Sequence, residues 1–241
     1  MNSAKNLLKE YNEAVGPKKG SYGFCVINNP IAIQRGIMLV GMNPSGNTTD
    51  DCFVDYLKCR RRSEGGYGDR ACFWGPKHEM MGKYDKYTDY IDLLPIKLTD
   101  QKIVDFIDPF IRGRLLEVTQ RYIEEMKPKL IILVNKSALY YWGCNDDATW
   151  MGYQLGNPVK KLKGRWDLYN IQGLKTQMQD RINQDYFLKH GNKTNLEGSY
   201  LLQYCQVSKR RNYPDQETVL QTSDIESLLK EIDPEWEKTL Y

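Results

Sequence analysis

The sequence is poor in the residues from which metal centres are built. Only two of its 241 residues are histidine, and its six cysteines form no Cys-x-x-Cys pair. Zinc and iron–sulfur sites usually need such pairs or several histidines, so we expect no metal site and no other cofactor. Isolated cysteines are typical of reduced thiols in a cytosolic protein, which favours a cytoplasmic location.

Long apolar runs and a strong net charge are also missing. No stretch of about 18 apolar residues exists, which argues against a membrane-spanning helix. The opening residues, MNSAKNLLKEYNEAV, are too polar for a signal peptide. The formal net charge is only +3, so any binding of nucleic acid would depend on a local basic cluster. The hydrophobic content of 41% is sufficient for one folded domain covering 1–241.

Short apolar runs alternate with stretches of helical periodicity. Runs such as GIMLV (36–40) and KLIILVN (129–135) are uninterrupted and too short for helices, as is typical of strands buried on both faces of a sheet. This alternation predicts an α/β fold with three αβα layers and a short, mostly parallel central sheet. We predict strands at 36–40, 87–96, 129–135, 167–173 and 200–207, and helices at 3–15, 48–62, 100–127, 136–143 and 223–232.

Capping residues support several of these boundaries. Asp50 and Asp51 would lie in the positive first turn of the helix at 48–62. Ser223, with Glu226 three residues later, is a capping-box pattern for the last helix. Asp108-Pro109 predicts a break in the helix at 100–127, and the glycines of SEGGYGDR predict a loop at 63–70.

In parallel α/β sheets, ligands bind beyond the carboxyl ends of the strands, which directs attention to GMNPSG at 41–46. A phosphate-binding loop would have Lys-Ser or Lys-Thr after the second glycine, and a dinucleotide fingerprint would have the spacing G-x-G-x-x-G. Neither pattern is present. The segment is therefore either a strand-to-helix turn built from Asn, Pro, Ser and Gly, or a site motif of another kind.

Gly-Met-Asn-Pro at 41–44 resembles the first active-site motif of the uracil-DNA glycosylase superfamily, and is closest to its single-strand-selective monofunctional branch. Further segments follow in the order of that family. CFWGPKH offers Phe73 for the ring that stacks on a flipped base, YIDLLPI places Asp92 where the family has a base-reading Asn, and CQVSKRRN is similar to a degenerate second motif. The resemblance covers about residues 34–232, apart from an unaligned insertion near 145–195.

This resemblance implies a uracil-DNA glycosylase-like domain that flips a damaged or deaminated base out of DNA and hydrolyses its N-glycosidic bond. Asn43 would orient the attacking water, and Gln206 would occupy the place of the family's His, which donates to the base oxygen that gathers charge. The implied base-binding residues are Gly41, Met42, Phe73 and Asp92, and the implied DNA-binding residues are Ser45, Ser208, Lys209, Arg210, Arg211 and Asn212.

Two of these positions depart from the family. An ionised Asp92 only accepts hydrogen bonds, whereas Asn also donates, so a base that presents two donors would suit this position better than uracil. Gln206 can donate, but as a neutral amide with a different reach. Several residues also have an ordinary structural interpretation: Asp92 as a loop cap, Phe73 as part of the core, and Lys209–Arg211 as a solvated basic turn.

Two other functional classes stay open. A catalytically degenerate nucleic-acid- or nucleotide-binding module of the same fold would explain the departures at Asp92 and Gln206. A small-molecule enzyme on a flavodoxin-like sheet would show no salt-sensitive affinity for DNA. The expected partner is DNA, duplex or single-stranded; no membrane partner is expected, and a monomer is favoured.

Overall fold

The structure is a computed structural model and describes residues 4–29, 33–44, 46, 48–55, 68–143, 150–175, 193–204 and 219–240. The α-helices in this part of the chain are α1 (Ala4–Val15), α2 (Gly68–Met81), α3 (Pro109–Met126) and α4 (Thr222–Ile232). The strands are β1 (Cys25–Asn28), β2 (Ile37–Gly41), β3 (Cys52–Asp55), β4 (Thr88–Asp92), β5 (Leu130–Leu133), β6 (Tyr153–Leu155), β7 (Lys160–Leu162), β8 (Trp166–Leu174) and β9 (Tyr200–Gln203). Short 3-10 helices cover Gly16–Ser21, Gly82–Tyr87, Gln101–Phe106, Lys136–Trp142 and Trp236–Leu240. Among the described helices, none has the length and apolar character that crossing a membrane requires.

A mostly parallel sheet organises the fold. Its strand order is β4-β2-β5-β9-β8-β6, and β7 also pairs with β8. β4, β2, β5 and β9 are parallel, whereas β8 runs antiparallel to β9, β6 and β7. β1 and β3 form a separate two-stranded parallel sheet. The prediction of an α/β protein with a mostly parallel sheet is therefore confirmed.

The burial of β2 explains its uninterrupted apolar sequence. Ile37 and Leu39 pack in a cluster of buried side chains with α2 and α4, whereas Met38 and Val40 pack in a second cluster with α1 and α3. Because side chains on a strand alternate between its two faces, a strand covered on both faces needs apolar residues at every position. Helices on both faces are compatible with the three-layer αβα arrangement.

The predicted break before α3 is confirmed. Oδ1 of Asp108 accepts a hydrogen bond from the N–H of Phe110 at 2.9 Å, and Pro109 occupies the first helical turn, where its missing N–H is not needed. The short helix predicted at 136–143 is a 3-10 turn followed by Gly143, which has a left-handed φ of 76°.

The helix predicted at 48–62 is wrong over its described part, since Cys52–Asp55 is strand β3 and residues 56–62 lie outside the described part of the chain. β3 pairs with β1 in parallel. The carboxylate of Asp51 does not serve a helix N-terminus; it accepts hydrogen bonds from the N–H of Phe24 at 3.0 Å and from Nδ2 of Asn12 at 3.0 Å. Pairing with β1 therefore overrides the local helical pattern.

Two helix starts also differ from the prediction. α4 begins after Gln221, whose N–H donates to Oδ2 of Asp224 at 2.7 Å, so the capping pair lies two residues before Ser223 and Glu226. Glu226 instead contacts lysines on α4 and on the turn after α2. α2 begins at Gly68, so the predicted loop at 63–70 is too long at its carboxyl end.

The described part of the predicted insertion, residues 150–175 and 193–195, extends the sheet. β8 confirms the strand predicted at 167–173, and β6 and β7, which were not predicted, pair with it in antiparallel fashion. β9 begins where predicted, at Tyr200, and its described part ends at Gln203.

Buried Glu124 on α3 accepts hydrogen bonds from several neutral donors. Oε1 accepts from the hydroxyl groups of Tyr153 at 2.9 Å and Thr194 at 2.6 Å, and Oε2 accepts from the N–H of Asn195 at 2.7 Å. These bonds join α3 to β6 and to the turn before β9. Glu124 thereby fixes the antiparallel extension to the parallel part of the sheet.

Replacing Glu124 with Gln is expected to lower the free energy of unfolding by about 2–3 kcal/mol, because one acceptor oxygen becomes an NH₂ group that faces a donor. The neighbouring Glu125 is exposed and provides the matched control, with an expected change for Glu125→Gln of less than about 0.5 kcal/mol. Urea unfolding followed by circular dichroism measures both. Equal stabilities of the two variants would contradict this role of Glu124.

Candidate functional site

The carboxyl ends of the parallel strands meet at one edge of the sheet. β2 lies between β4 and β5. Of the strands in this sheet, β4 comes next in the chain after β2 and pairs on one side of it, and β5 then pairs on the other side. The connections that follow β2 and β5 run to opposite sides of the sheet, so the topological switch point lies between these two strands, and ligands of open α/β sheets bind in the crevice outside such a point. We name the edge of the sheet that includes this point the switch-point edge; its described residues are 41–44, 46, 92–98 and 134–136.

Asp92 and Trp74 both lie against Gly41. Gly41 and Asp92 are direct partners in the ladder between β2 and β4. A methyl group on Gly41 would lie 2.3 Å from Oδ1 of Asp92 and 3.2 Å from the ring of Trp74. Glycine is therefore required for this close approach. Trp74 is only 3% exposed and packs edge-on against Tyr90, with ring centroids 5.3 Å apart.

Backbone hydrogen bonds hold the turn after β2 to the segment after β4. The N–H groups of Leu93 and Leu94 donate to the carbonyl oxygens of the last residue of β2 and of Met42, at 3.1 and 2.9 Å. The N–H of Leu98 donates to the carbonyl oxygen of Pro44 at 3.0 Å. The turn is therefore a bonded continuation of the sheet, which suits a site that must hold its geometry.

Asn43 carries a buried acceptor within this turn. Its Nδ2 donates to the carbonyl oxygen of Pro44 at 3.1 Å, whereas its buried Oδ1 has no hydrogen-bond partner among the described residues. The N–H groups of Met42 and Asn43 donate no hydrogen bond within that same part of the chain. Buried polar groups are normally paired, so one acceptor and two donors without a partner among the described residues make this turn unusual.

α2 places buried polar side chains against β4. Nδ1 of His78 lies 2.8 Å from Oδ1 of Asp85, and the hydroxyl of Tyr90 donates to the same oxygen at 2.6 Å. Lys77, one helical turn after Trp74, is only 4% exposed, and burial lowers the pKa of its ammonium to about 8. Perturbed titratable groups of this kind are found at functional sites and in structural networks alike.

A small cavity of about 20 Å³ adjoins Asp92. Tyr11, Pro95 and Tyr122 are among the residues that line it. Its volume is sufficient for one water molecule and far too small for a nucleobase. Burial raises the pKa of both tyrosines well above the ordinary value, so their hydroxyl groups are neutral at physiological pH.

The structure brings only part of the predicted site together. Gly41, Met42, Asn43 and Asp92 lie at the switch-point edge, with the side chain of Met42 packed in the core. The indole beside Gly41 belongs to Trp74, the neighbour of the predicted ring. The remaining predicted groups lie outside the described part of the chain and stay predictions: the side chain of Phe73, and Ser45, Gln206, Ser208, Lys209, Arg210, Arg211 and Asn212.

No protein-family model and no curated protein sequence matches this chain. Within the described ranges, no group of three or more His, Cys, Asp or Glu side chains is placed to hold a metal ion. Function must therefore be inferred from the side chains and backbone groups of the switch-point edge.

Sequence reasoning missed Lys77 and assigned no role to Asp85. The sequence does contain a pattern that could have drawn attention to Lys77. Lys77 and His78 follow Trp74 by three and four residues, so the three side chains share one face of a helix. That spacing becomes informative only once α2 is known to start at Gly68. Asp85 lies in a 3-10 turn, for which the sequence offers no periodic pattern.

Buried Lys77 is expected to destabilise the fold at neutral pH. Its pKa is about 8 in the folded state and 10.5 in an ordinary lysine, so between these values the unfolded state binds more protons and stability rises with pH. Lys77→Met is expected to raise the free energy of unfolding at pH 7 by up to about 3 kcal/mol and to remove that rise. Urea unfolding at pH 7 and pH 10 measures both effects.

The exposed Lys5 on α1 offers the control. Lys5→Met should leave the difference in stability between the two pH values unchanged. If Lys77→Met also left the difference in stability between pH 7 and pH 10 unchanged, the ammonium group of Lys77 would carry no desolvation penalty.

Proposed function

We propose that this protein is a DNA glycosylase-like enzyme with a uracil-DNA glycosylase-like fold, which hydrolyses the N-glycosidic bond of a damaged or deaminated base. The single observation that carries the proposal is the arrangement at the switch-point edge. There the Gly-Met-Asn-Pro turn presents hydrogen-bonding groups without partners among the described residues, directly beside the Asp92 carboxylate.

Asn43 orients the attacking water in this proposal. Its amide does not titrate, so it cannot remove a proton, but its buried Oδ1 can accept a hydrogen bond from water and aim the water oxygen at the sugar carbon. The bond between Nδ2 and Pro44 fixes the orientation of the amide. Because no general base is supplied at this position, we expect slow turnover.

The backbone of the same turn stabilises the leaving base. Negative charge develops on the base as the glycosidic bond breaks, and N–H groups that are already in place stabilise such charge without reorganisation. The N–H groups of Met42 and Asn43 are candidates, since the described residues offer them no acceptor. Gln206 would add a side-chain donor if it lies where the resemblance implies.

Asp92 selects the base in this proposal. An ionised carboxylate accepts two hydrogen bonds and repels a carbonyl oxygen. It therefore favours a base whose edge carries an amino group beside a ring N–H, as a damaged guanine does, over uracil. Gly41 keeps this carboxylate at the end of β2 by leaving the space that a larger side chain would fill.

A second candidate is a binding module of the same fold without catalysis. The observation that favours it is the packing around Asp92. Trp74 is buried against Gly41, and the cavity of about 20 Å³ beside Asp92 holds no nucleobase. This module would bind nucleic acid or nucleotides at the same edge and leave glycosidic bonds intact.

Base release from labelled oligonucleotides that carry uracil, hypoxanthine, xanthine or a damaged guanine distinguishes the two candidates. The enzyme is expected to release at least one of these bases under single-turnover conditions, and Asn43→Ala is expected to lower that rate about 100-fold or more. The control is Asn6→Ala on the exposed face of α1, which should retain full activity. DNA binding without release of any base would leave only the binding module.

The ratio of activities on two bases tests Asp92 separately. Asp92→Asn supplies an amide that both donates and accepts, so the preference is expected to shift towards uracil by at least about tenfold relative to the base that the wild type favours. The ratio is measured within one protein preparation and is insensitive to partial inactivation. An unchanged ratio would mean that residue 92 does not contact the base.

A further inference from the structure

Two cysteines lie directly opposite each other in the small sheet formed by β1 and β3. Cys25 and Cys52 are register partners in this parallel pair, and the N–H of Cys52 donates to the carbonyl oxygen of Phe24 at 2.8 Å. Neighbouring strands lie about 4.8 Å apart, and the two Cα atoms of a disulfide lie about 4.4–6.8 Å apart. The backbone therefore holds both residues at a separation that suits a disulfide.

The side chains of the two cysteines also point to the same face of this sheet. Cys25 packs in the buried cluster with α2 and α4, and Cys52 packs against the same cluster. The residues that follow them point the other way: Val26 packs in the cluster with α1 and α3, and Phe53 is 41% exposed. Because side chains alternate between the two faces of a strand, the two sulfur atoms share one side of the sheet.

The two cysteines differ in exposure. Both are in the thiol form, but Cys25 is only 4% exposed, whereas Cys52 is partly exposed. An oxidant dissolved in water therefore reaches Cys52 first and finds the thiol of Cys25 beside it. An accessible cysteine next to a second, resolving cysteine is the arrangement of redox-sensing pairs.

Hydrogen bonds connect this pair to the switch-point edge. The N–H of Cys25 donates to the carbonyl oxygen of Pro95 at 2.8 Å, and the N–H of Phe24 donates to Oδ1 of Asp51 at 3.0 Å. Cys52 begins β3, the next described strand after β2 and the Gly-Met-Asn-Pro turn. A bond between the two cysteines would therefore close a ring of the chain, residues 25–52, that contains β2 and this turn.

We propose that Cys25 and Cys52 form an oxidation site, at which a peroxide converts the two thiols into a reversible disulfide. The Cys52 thiolate attacks one oxygen of hydrogen peroxide, the O–O bond breaks, and hydroxide leaves, so that Cys52 becomes a sulfenic acid. The sulfur of Cys25 then attacks the sulfur of Cys52, the S–O bond breaks, and the S–S bond forms. In total, the two thiols lose two protons and two electrons, and the peroxide is reduced to two molecules of water.

Exchange with a dithiol reductant restores both thiols, because the reductant is oxidised to its own disulfide. The bond is therefore compatible with a reducing compartment, where disulfides are transient. Neither Asn43 nor Asp92 takes part, so this oxidation is independent of the proposed glycosylase activity.

Peptide mapping of the wild-type protein after treatment with hydrogen peroxide tests the proposal. Trypsin cleaves after Lys19, Arg35 and Lys58, so peptides 20–35 and 36–58 each carry one cysteine. After alkylation of the remaining thiols and digestion without reduction, mass spectrometry is expected to show these two peptides linked as the main disulfide product, and dithiothreitol should separate them. Unlinked peptides would overturn the proposal, and so would a linked product no more abundant than in protein oxidised in urea.

Two variants test the order of the reaction. Without its partner thiol, Cys52 in Cys25→Ala should remain a sulfenic acid and react with dimedone at least about tenfold more than Cys25 does in Cys52→Ala, because exposure controls the access of the oxidant. Equal labelling in the two variants would overturn the assigned order. The wild-type peptide map decides the proposal even if either variant fails to fold.

The melting temperature tests whether the disulfide fits the folded sheet. Closing the ring of residues 25–52 restricts the unfolded chain, so oxidation is expected to raise the Tm of the wild type by about 5–10 °C. The same treatment should leave the Tm of Cys52→Ala unchanged. A linked wild type with an unchanged or lower Tm would show that the bond distorts the sheet and would overturn the proposal.

Discussion

The absence of a side chain at Gly41 is the constraint on which the candidate site depends. Because residue 41 has no side chain, the Asp92 carboxylate and the Trp74 ring both reach the end of β2. The backbone beyond that point can then continue as a turn bonded to the segment after β4. One small residue thus allows an acidic side chain, an aromatic ring and a rigid turn to occupy the same corner of the sheet.

The parallel part of the sheet and the antiparallel extension have different structural roles. β4, β2 and β5 create the switch point and place polar groups beyond their carboxyl ends. β6, β7 and β8 lie on the far side of β9 and are fixed to α3 through Glu124.

The parallel core could be predicted from sequence because its signals are local. An unbroken apolar run such as Ile37–Val40 has few alternatives to a buried strand, and Asp108-Pro109 allows few structures other than a helix start. β3 could not be predicted, because its pairing with β1 depends on contacts distant in sequence. At the site, the position of Asp92 opposite Gly41 follows from strand register, whereas the burial of Trp74 and Lys77 follows only from how α2 packs.

The chemistry at residue 92 depends on whether its carboxyl group carries a proton. Ionised, it accepts two hydrogen bonds and opposes negative charge on a departing base, so it would hinder release of uracil. Protonated, it donates and accepts as the side-chain amide of an Asn would. The indole ring of Trp74 lies beside this carboxyl group and disfavours its charge, and the hydroxyl protons of Tyr11 and Tyr122, which line the adjoining cavity, are donated to Thr119 and Asp89 instead. In the proposed enzyme, the range of bases accepted would therefore depend on the neighbours of Asp92 as well as on the carboxyl group itself.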